Sequence, residues 1–149
     1  ECPIAINCKA LKINAVQKFP IKVKTIKKRF RFFNYFFIQQ NGQIAIRKRI
    51  GKDIWQGLYE LPLIESKHLL TAVEIDGMIS SAVINRFNGM DLMFEAKHVL
   101  THQTIQAQFW SIETEGRIKV LDDTVIWVPI NEIQNYPVSV LIEKFLLCL

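Results

Sequence analysis

Arg31-Phe32-Phe33-Asn34-Tyr35-Phe36-Phe37-Ile38-Gln39, then Asn41-Gly42, then Gln43-Ile44-Ala45-Ile46-Arg47-Lys48-Arg49: this stretch decides the fold class. Aromatic and β-branched side chains pack well on a pleated surface, so the first run predicts a buried strand. Asn-Gly suits a two-residue hairpin turn, whose central residues both need positive φ. The run after the turn alternates, with Ile44, Ile46 and Lys48 on one face and Ala45, Arg47 and Arg49 on the other. Gly51-Lys52-Asp53 makes another turn, and Trp55 to Leu63 reads as extended, ending at Pro62.

Downstream, residues 66–87 form the best helical window, with Leu69, Leu70, Val73, Met78, Ile79, Ala82, Val83 and Phe87 at spacings of three and four. Gly77 is expected to split it, leaving a firm helix over about 77–87. Strands over about 91–101 and 104–113 follow, joined near Thr101-His102-Gln103. Val125 to Pro129 predicts another strand, Asn131 a capped helical turn, and Val138–Leu147 a closing helix. Strands with two or three helices interspersed imply an α+β body with a mixed sheet. Upstream, Glu1 to Phe19 is too short to build a core alone. Residues 20–28, with Lys22, Lys24, Lys27 and Lys28 among apolar residues, predict an extended basic linker, so the folded body is expected over 29–149.

The chain has 149 residues, 50% hydrophobic and 22% charged, which suits one globular domain and excludes a disordered tail. No apolar run approaches the roughly 18 residues of a membrane helix, so no membrane partner is expected. With no initiator Met and no signal peptide, the chain reads as an interior piece of something longer. Three cysteines exclude a disulfide framework and fit a reducing compartment or an incomplete metal site. Charge is lopsided: residues 1–52 hold 13 of the 19 Lys/Arg against one acid, and residues 53–149 hold the other 6 against 13 acids. Such an asymmetry marks either a solvated basic face or a polyanion-facing first third on an acidic body.

Hydrolysis of a pyrophosphate by a helix-borne metal site needs clustered carboxylates, because a hard cation takes several oxygens. The helical window offers only Glu74 and Asp76, and Asp122-Asp123 is the only adjacent acidic pair, in a loop. The six glycines are scattered and build no phosphate cradle. Cys2 and Cys8 are either ordinary thiols or half of an iron–sulfur site, which takes four thiolates. His98 and His102 flank an expected hairpin turn. There the imidazoles and the Thr101 hydroxyl are either plain surface polarity or hydrogen-bonding partners for a base edge.

Four separated elements together resemble the C-terminal part of the MutY family, the A/G-specific adenine DNA glycosylases. Cys2-Pro3 and Cys8 resemble the last two ligands of its four-cysteine [4Fe–4S] loop. Pro20 to Arg29 resembles its basic interdomain linker. Ile54-Trp55-Gln56-Gly57-Leu58-Tyr59-Glu60-Leu61-Pro62 is similar to its Trp-x-Gly-Leu-(Trp/Tyr)-Glu-(Phe/Leu)-Pro signature. His98-Val99-Leu100-Thr101-His102 lies where the family carries a His-x-Phe-Ser-His-type element.

The resemblance implies a Nudix-like fold that reads DNA in base excision repair. By it, residues 1–19 are the end of the cluster loop and the tail of a catalytic domain, and 29–149 the C-terminal domain. The family removes adenine mispaired with 8-oxoguanine, and its catalytic acids belong to the domain preceding this one, so no residue here is expected to be catalytic. 8-Oxoguanine differs from guanine by an N7–H donor and a C8 oxygen, which one hydroxyl can sense. Thr101 stands for the family's Ser and keeps its hydroxyl. Leu100 stands for its Phe as an apolar wedge. His102 matches directly. Arg47, Lys48 and Arg49, with the linker lysines, are expected on DNA phosphates. The implied partners are duplex DNA carrying 8-oxoguanine opposite adenine and the N-terminal catalytic domain, in a cytoplasmic, nucleoid-associated protein. The cluster belongs to the parent protein, and the chain by itself is expected to carry none. The alternatives are a Nudix hydrolase of oxidised nucleotides and a protein-interaction module.

Overall fold

The computed structural model describes residues 2–19, 21, 28–82, 87–114 and 124–149. Lys22, Lys24 and Lys27, residues 83–86 of the helix expected over 77–87, and Asp122-Asp123 lie outside the described residues, while Phe87, expected to end that helix, is the first residue of a strand. The α+β architecture expected from the sequence is the one observed.

Strand β1 (Arg29–Gln40) is the centre of the sheet. Its aromatic run is buried on both faces, with Phe33 and Tyr35 fully enclosed and Phe36, Phe37 and Ile38 nearly so. Asn41 and Gly42 turn it into β2 (Gln43–Lys48), both with positive φ as the dipeptide predicts. Strands β3 (Tyr59–Glu60) and β4 (Leu63–Ser66) pair antiparallel with β2 and β1. The long hairpin β5 (Phe87–Val99) and β6 (Gln103–Thr114) lies along the other edge of β1, which β6 joins in parallel from Arg29 beside Gln103 to Gln39 beside Glu113. Strand β7 (Val125–Pro129) pairs with β2.

Two helices close the two faces. Helix α3 (Val140–Leu146) packs Leu141, Ile142 and Phe145 with Phe37, Phe109 and the core around Tyr35. Ser139 caps it by accepting from the Ile142 N–H at 3.4 Å. On the opposite face α2 (Ala72–Ala82) and the residues before it set Leu70 and Ile75 on Phe36, Ile38, Trp110 and Ile112. The short α1 (Lys9–Lys12) lies in the first segment, where Ile4, Ile6, Leu11 and Ile13 are exposed.

Three local expectations change. Helix α2 begins earlier than expected and runs through Gly77. A capping box starts it: the Glu74 carboxylate accepts from the Thr71 N–H at 2.8 Å, and the Glu74 N–H donates to Thr71 Oγ1 at 3.4 Å. A glycine costs about 1 kcal/mol in a helix, less than is needed to break one already capped and anchored by buried Ile75. Trp55 to Leu58 is a turn rather than the start of an extended segment, with Trp55 at φ +62° and Gly57 at φ +86°. The Leu58 N–H donates to the Trp55 carbonyl at 3.1 Å, and the Gly57 N–H to that of Arg49 at 2.7 Å. The helical turn Ile130–Asn135 follows Pro129, and no side chain caps it, Asn131 included.

Candidate functional site

The turn after β2 is built on charge. Arg31, on β1, is 4% exposed and makes two forked pairs. It donates to Asp53 Oδ1 and Oδ2 at 2.8 and 2.6 Å, and to Glu65 Oε1 and Oε2 at 2.8 and 2.6 Å. Arg49 donates to Asp53 Oδ2 at 2.6 Å and to both oxygens of Glu60 at 3.1 and 2.8 Å. Arg47 reaches Glu60 Oε1 through Nε and Nη2 at 3.2 and 3.1 Å. Glu65, Arg31, Asp53, Arg49, Glu60 and Arg47 thus form one alternating chain of charge. Charge-assisted, forked bonds of this kind hold their groups in one geometry.

Arg31, the largest influence on both, holds the carboxyls of Asp53 and Glu65 below the usual carboxylate range. Burial pulls the Arg49 guanidinium down, yet Glu60 and Asp53 keep it above its ordinary value. Burial first, and then Glu60, pushes the Tyr35 hydroxyl well up. A depressed carboxyl means that the unfolded chain binds protons, near pH 4, that the folded chain refuses. The stability these groups contribute is therefore complete above about pH 5 and lost as pH falls through the folded values. Urea unfolding at pH 7, 4 and 2.5 is expected to show a steep loss over the last interval. Asp53→Asn flattens that loss; an equal slope in wild type and variant contradicts the network.

The network holds the Trp55 turn. Arg49 Nε donates to the Ile54 carbonyl at 2.9 Å. The Trp55 indole stands edge-on to Phe33 at 6.5 Å and tilted over the His98 ring at 5.5 Å. A left-handed backbone costs a bulky residue about 1–2 kcal/mol, which these contacts offset.

His98 leads to the tip of the β5–β6 hairpin. The Leu100 N–H donates to the Gln103 carbonyl at 2.8 Å, closing a turn that leaves Thr101 and His102 exposed. Leu100 itself is half-buried and packs against the core. The Arg29 N–H donates to the His102 carbonyl at 3.1 Å. Pairing of β6 with β1 therefore sets the tip, which lies in the acidic part of the sequence, beside the basic start of β1.

The residues expected on phosphates divide. Lys28 is exposed, as is Lys48, whose ammonium lies 5.9 Å from the centre of the Tyr59 ring. Arg47 and Arg49 direct their guanidiniums onto Glu60 beside a cavity of about 250 Å3 that Lys48, Asp53 and Thr124 also line. Arg31, Asp53 and Glu65 carry the network without having been singled out in the sequence. The only signal was their charge within otherwise apolar or turn-forming stretches. Cys2 and Cys8 lie in the first segment, while Cys148 lies just beyond α3 and donates to the Lys144 carbonyl at 3.3 Å. Three thiols cannot complete a four-thiolate cluster, so the chain's own residues do not fit that group.

Residues 34–147 match the family model of the NUDIX domain. The chain belongs to that family. Among curated proteins none matches it by sequence. Its fold is similar to that of the C-terminal domain of mouse MUTYH, solved in complex with human PCNA. The TM-score there is 0.60 at 13% identity, over 79% of this chain and 86% of that one. A MutT NUDIX hydrolase from Burkholderia pseudomallei matches as well, with TM-score 0.63 at 16% identity, over 82% and 99%. The NUDIX domain of Shewanella oneidensis NrtR, solved with ADP-ribose, gives 0.54 at 9% identity, over 87% and 89%. At these identities the likeness is one of fold.

The Nudix fold is widely a hydrolase fold, so the donor set of this Nudix chain matters. Helix α2 carries Glu74 and Asp76. Glu74 is engaged by the Thr71 N–H, by His68 Nε2 at 2.9 Å and by the Thr71 hydroxyl, which hold its carboxyl down at about 2. Among the described residues no three His, Cys, Asp or Glu side chains group to hold a metal ion. These residues do not fit a Mg2+ site of the hydrolytic kind.

Proposed function

We propose that this Nudix chain is a DNA-reading domain of the MutY type, which recognises 8-oxoguanine opposite adenine through the β5–β6 tip. The carrying observation is that tip: Thr101 and His102 exposed together, beside Lys28 and Arg29, on a Nudix body whose described residues group no metal-binding carboxylates. The likeness in fold to the mouse MUTYH domain supports the reading, as does the Trp55-to-Pro62 segment. The Thr101 hydroxyl can accept from the N7–H that guanine lacks, and His102 can bond phosphate or base. Leu100, held against the core, sets the height of the turn. Adenine excision belongs, in this reading, to a separate catalytic domain. Cys2 and Cys8 contribute, in this reading, two of the four thiolates of a [4Fe–4S] cluster whose other ligands belong to that catalytic domain.

Binding of the chain to duplexes with adenine opposite 8-oxoguanine or opposite guanine tests this. The lesion duplex is expected to bind more tightly, and Thr101→Ala or His102→Ala to reduce the preference about tenfold, the scale of one base-edge contact. An unchanged preference in both variants overturns the assignment. The MutT-like neighbours favour a second reading, hydrolysis of an oxidised nucleotide. Release of pyrophosphate from 8-oxo-dGTP with Mg2+ would establish it in place of the first.

A further inference from the structure

The sheet face that α2 covers is open at the end nearest the hairpin tip. There the registers of β5, β6 and β1 align Val99, Thr104 and Phe30 in one cross-strand row on the same face. Thr104 is buried, whereas Val99 and Phe30 are 57% and 60% exposed. The next row is Lys97, Gln106 and Phe32, and the third is Glu95, Gln108 and Asn34. At that third row the cover begins, with the Leu70 N–H donating to Asn34 Oδ1 at 3.2 Å. A cavity of about 280 Å3 opens there, lined by Leu69, Glu95, Lys97 and Gln106 among others. Gln108 Nε2 donates to Glu95 Oε1 at 2.9 Å, which orients that carboxylate.

Phe30 and Val99 form an exposed apolar pair at the end of the sheet, with polar and charged residues in the next rows. Lys28 lies two residues before Phe30 and Lys97 one row inward, so two cations flank the ring; Arg29 faces the other side of the sheet, 3.6 Å from Glu65. A flat aromatic face among cations fits a nucleobase with its phosphates, because every base offers a π-face and a negative backbone. We propose that this open end of the sheet is a stacking platform for one unpaired DNA base. Phe30 lies under the base, Lys28 and Lys97 attract the flanking phosphates, and Glu95 and Gln106 meet its polar edge. The platform rests on the DNA-binding reading above and adds a second contact beside the tip. There it would receive a nucleotide displaced from the duplex.

The test uses the whole chain and two labelled duplexes. One is fully paired, with adenine opposite 8-oxoguanine; the other carries a single bulged thymine as well. The bulge is expected to tighten binding. Phe30→Ala raises the Kd for the bulged duplex about tenfold, the scale of one lost base–aromatic stack, and leaves the paired duplex unchanged. Phe30→Trp keeps the gain, and Lys97→Gln flattens the log–log salt dependence by about one unit. An unaltered Tm of the Phe30 variants shows that the fold is kept. A bulge that adds nothing, or Phe30→Ala binding it like wild type, overturns the platform. If the paired duplex still shows its lesion preference, only the platform fails. If neither duplex binds, the DNA-reading assignment falls with it.

Discussion

Exchanging Glu60 for alanine is expected to lower the stability of the chain by about 3–5 kcal/mol, the cost of stripping one partner from a buried ion pair. Glu60 is 4% exposed and accepts from Arg47, from Arg49 and, at 3.5 Å, from the Tyr35 hydroxyl. Its loss removes the buried carboxylate on which both guanidiniums converge. Arg49 keeps Asp53, but its second fork has no acceptor. For a domain of this size each kcal/mol shifts Tm by roughly 2–4 °C, so a fall of about 10 °C is expected in thermal unfolding. Glu60→Gln retains the shape and one acceptor oxygen, and falls between wild type and alanine. A change below about 1 kcal/mol for Glu60→Ala would mean that water replaces the carboxylate, as at exposed pairs. The network would then be incidental to the fold.

Phe109→Ala is the second large effect. The ring is fully buried and stacks on Tyr35 at 4.9 Å and on Phe145 at 4.5 Å, with Phe94 tilted against it at 5.6 Å. Removing it opens a cavity between β6, β1 and α3, for which about 3–5 kcal/mol is the usual loss, and it dissolves two stacked pairs besides. Because Phe145 anchors α3, backbone amides from Val140 to Leu146 should lose more exchange protection than those of α2. Equal loss in both helices would contradict this local coupling. Phe109→Leu, which refills most of the volume, is expected to recover about half the loss.

How far the residues announced their roles follows from range. Asn41-Gly42 was legible because the demand for positive φ is local, and both residues have it. The β5–β6 hairpin was legible because alternation of period two is local as well, and Thr101-His102 falls at its turn. Helix α2 starts earlier than Gly77 suggests because its start depends on a cap between Thr71 and Glu74, which outweighs the helix-weakening glycine. Trp55 departs from the extended conformation that its neighbours suggest because its backbone is set from outside the segment. Arg31 meets Asp53 and Glu65 only once β4 lies beside β1 and the turn folds back. A charge in a sequence suggests solvent, and nothing nearby in the chain reveals that Arg31 is enclosed. The tip stands out in the sequence only through the resemblance, and its basic neighbourhood does not, since Lys28 and Arg29 reach it across a parallel pairing.

That pairing also governs how the chain comes to be folded. Every rung between β1 and β6 joins residues 74 positions apart, and β1 is the strand around which both hydrophobic clusters form. Closing so long a loop carries an entropic cost before any contact offsets it, so the central pairing is a late, slow event. During synthesis the run from Phe30 to Ile38 emerges before β6, and the edge that β6 takes stays unpaired until Gln103 to Glu113 has followed. An apolar strand with unpaired edges is the kind of segment that aggregates or recruits a chaperone. The hairpin β5–β6, joined by a short turn, can form by itself and then serve as the template on which β1 docks. Folding speed should therefore respond to substitutions that weaken this hairpin, while changes confined to α3 act on the rate of unfolding.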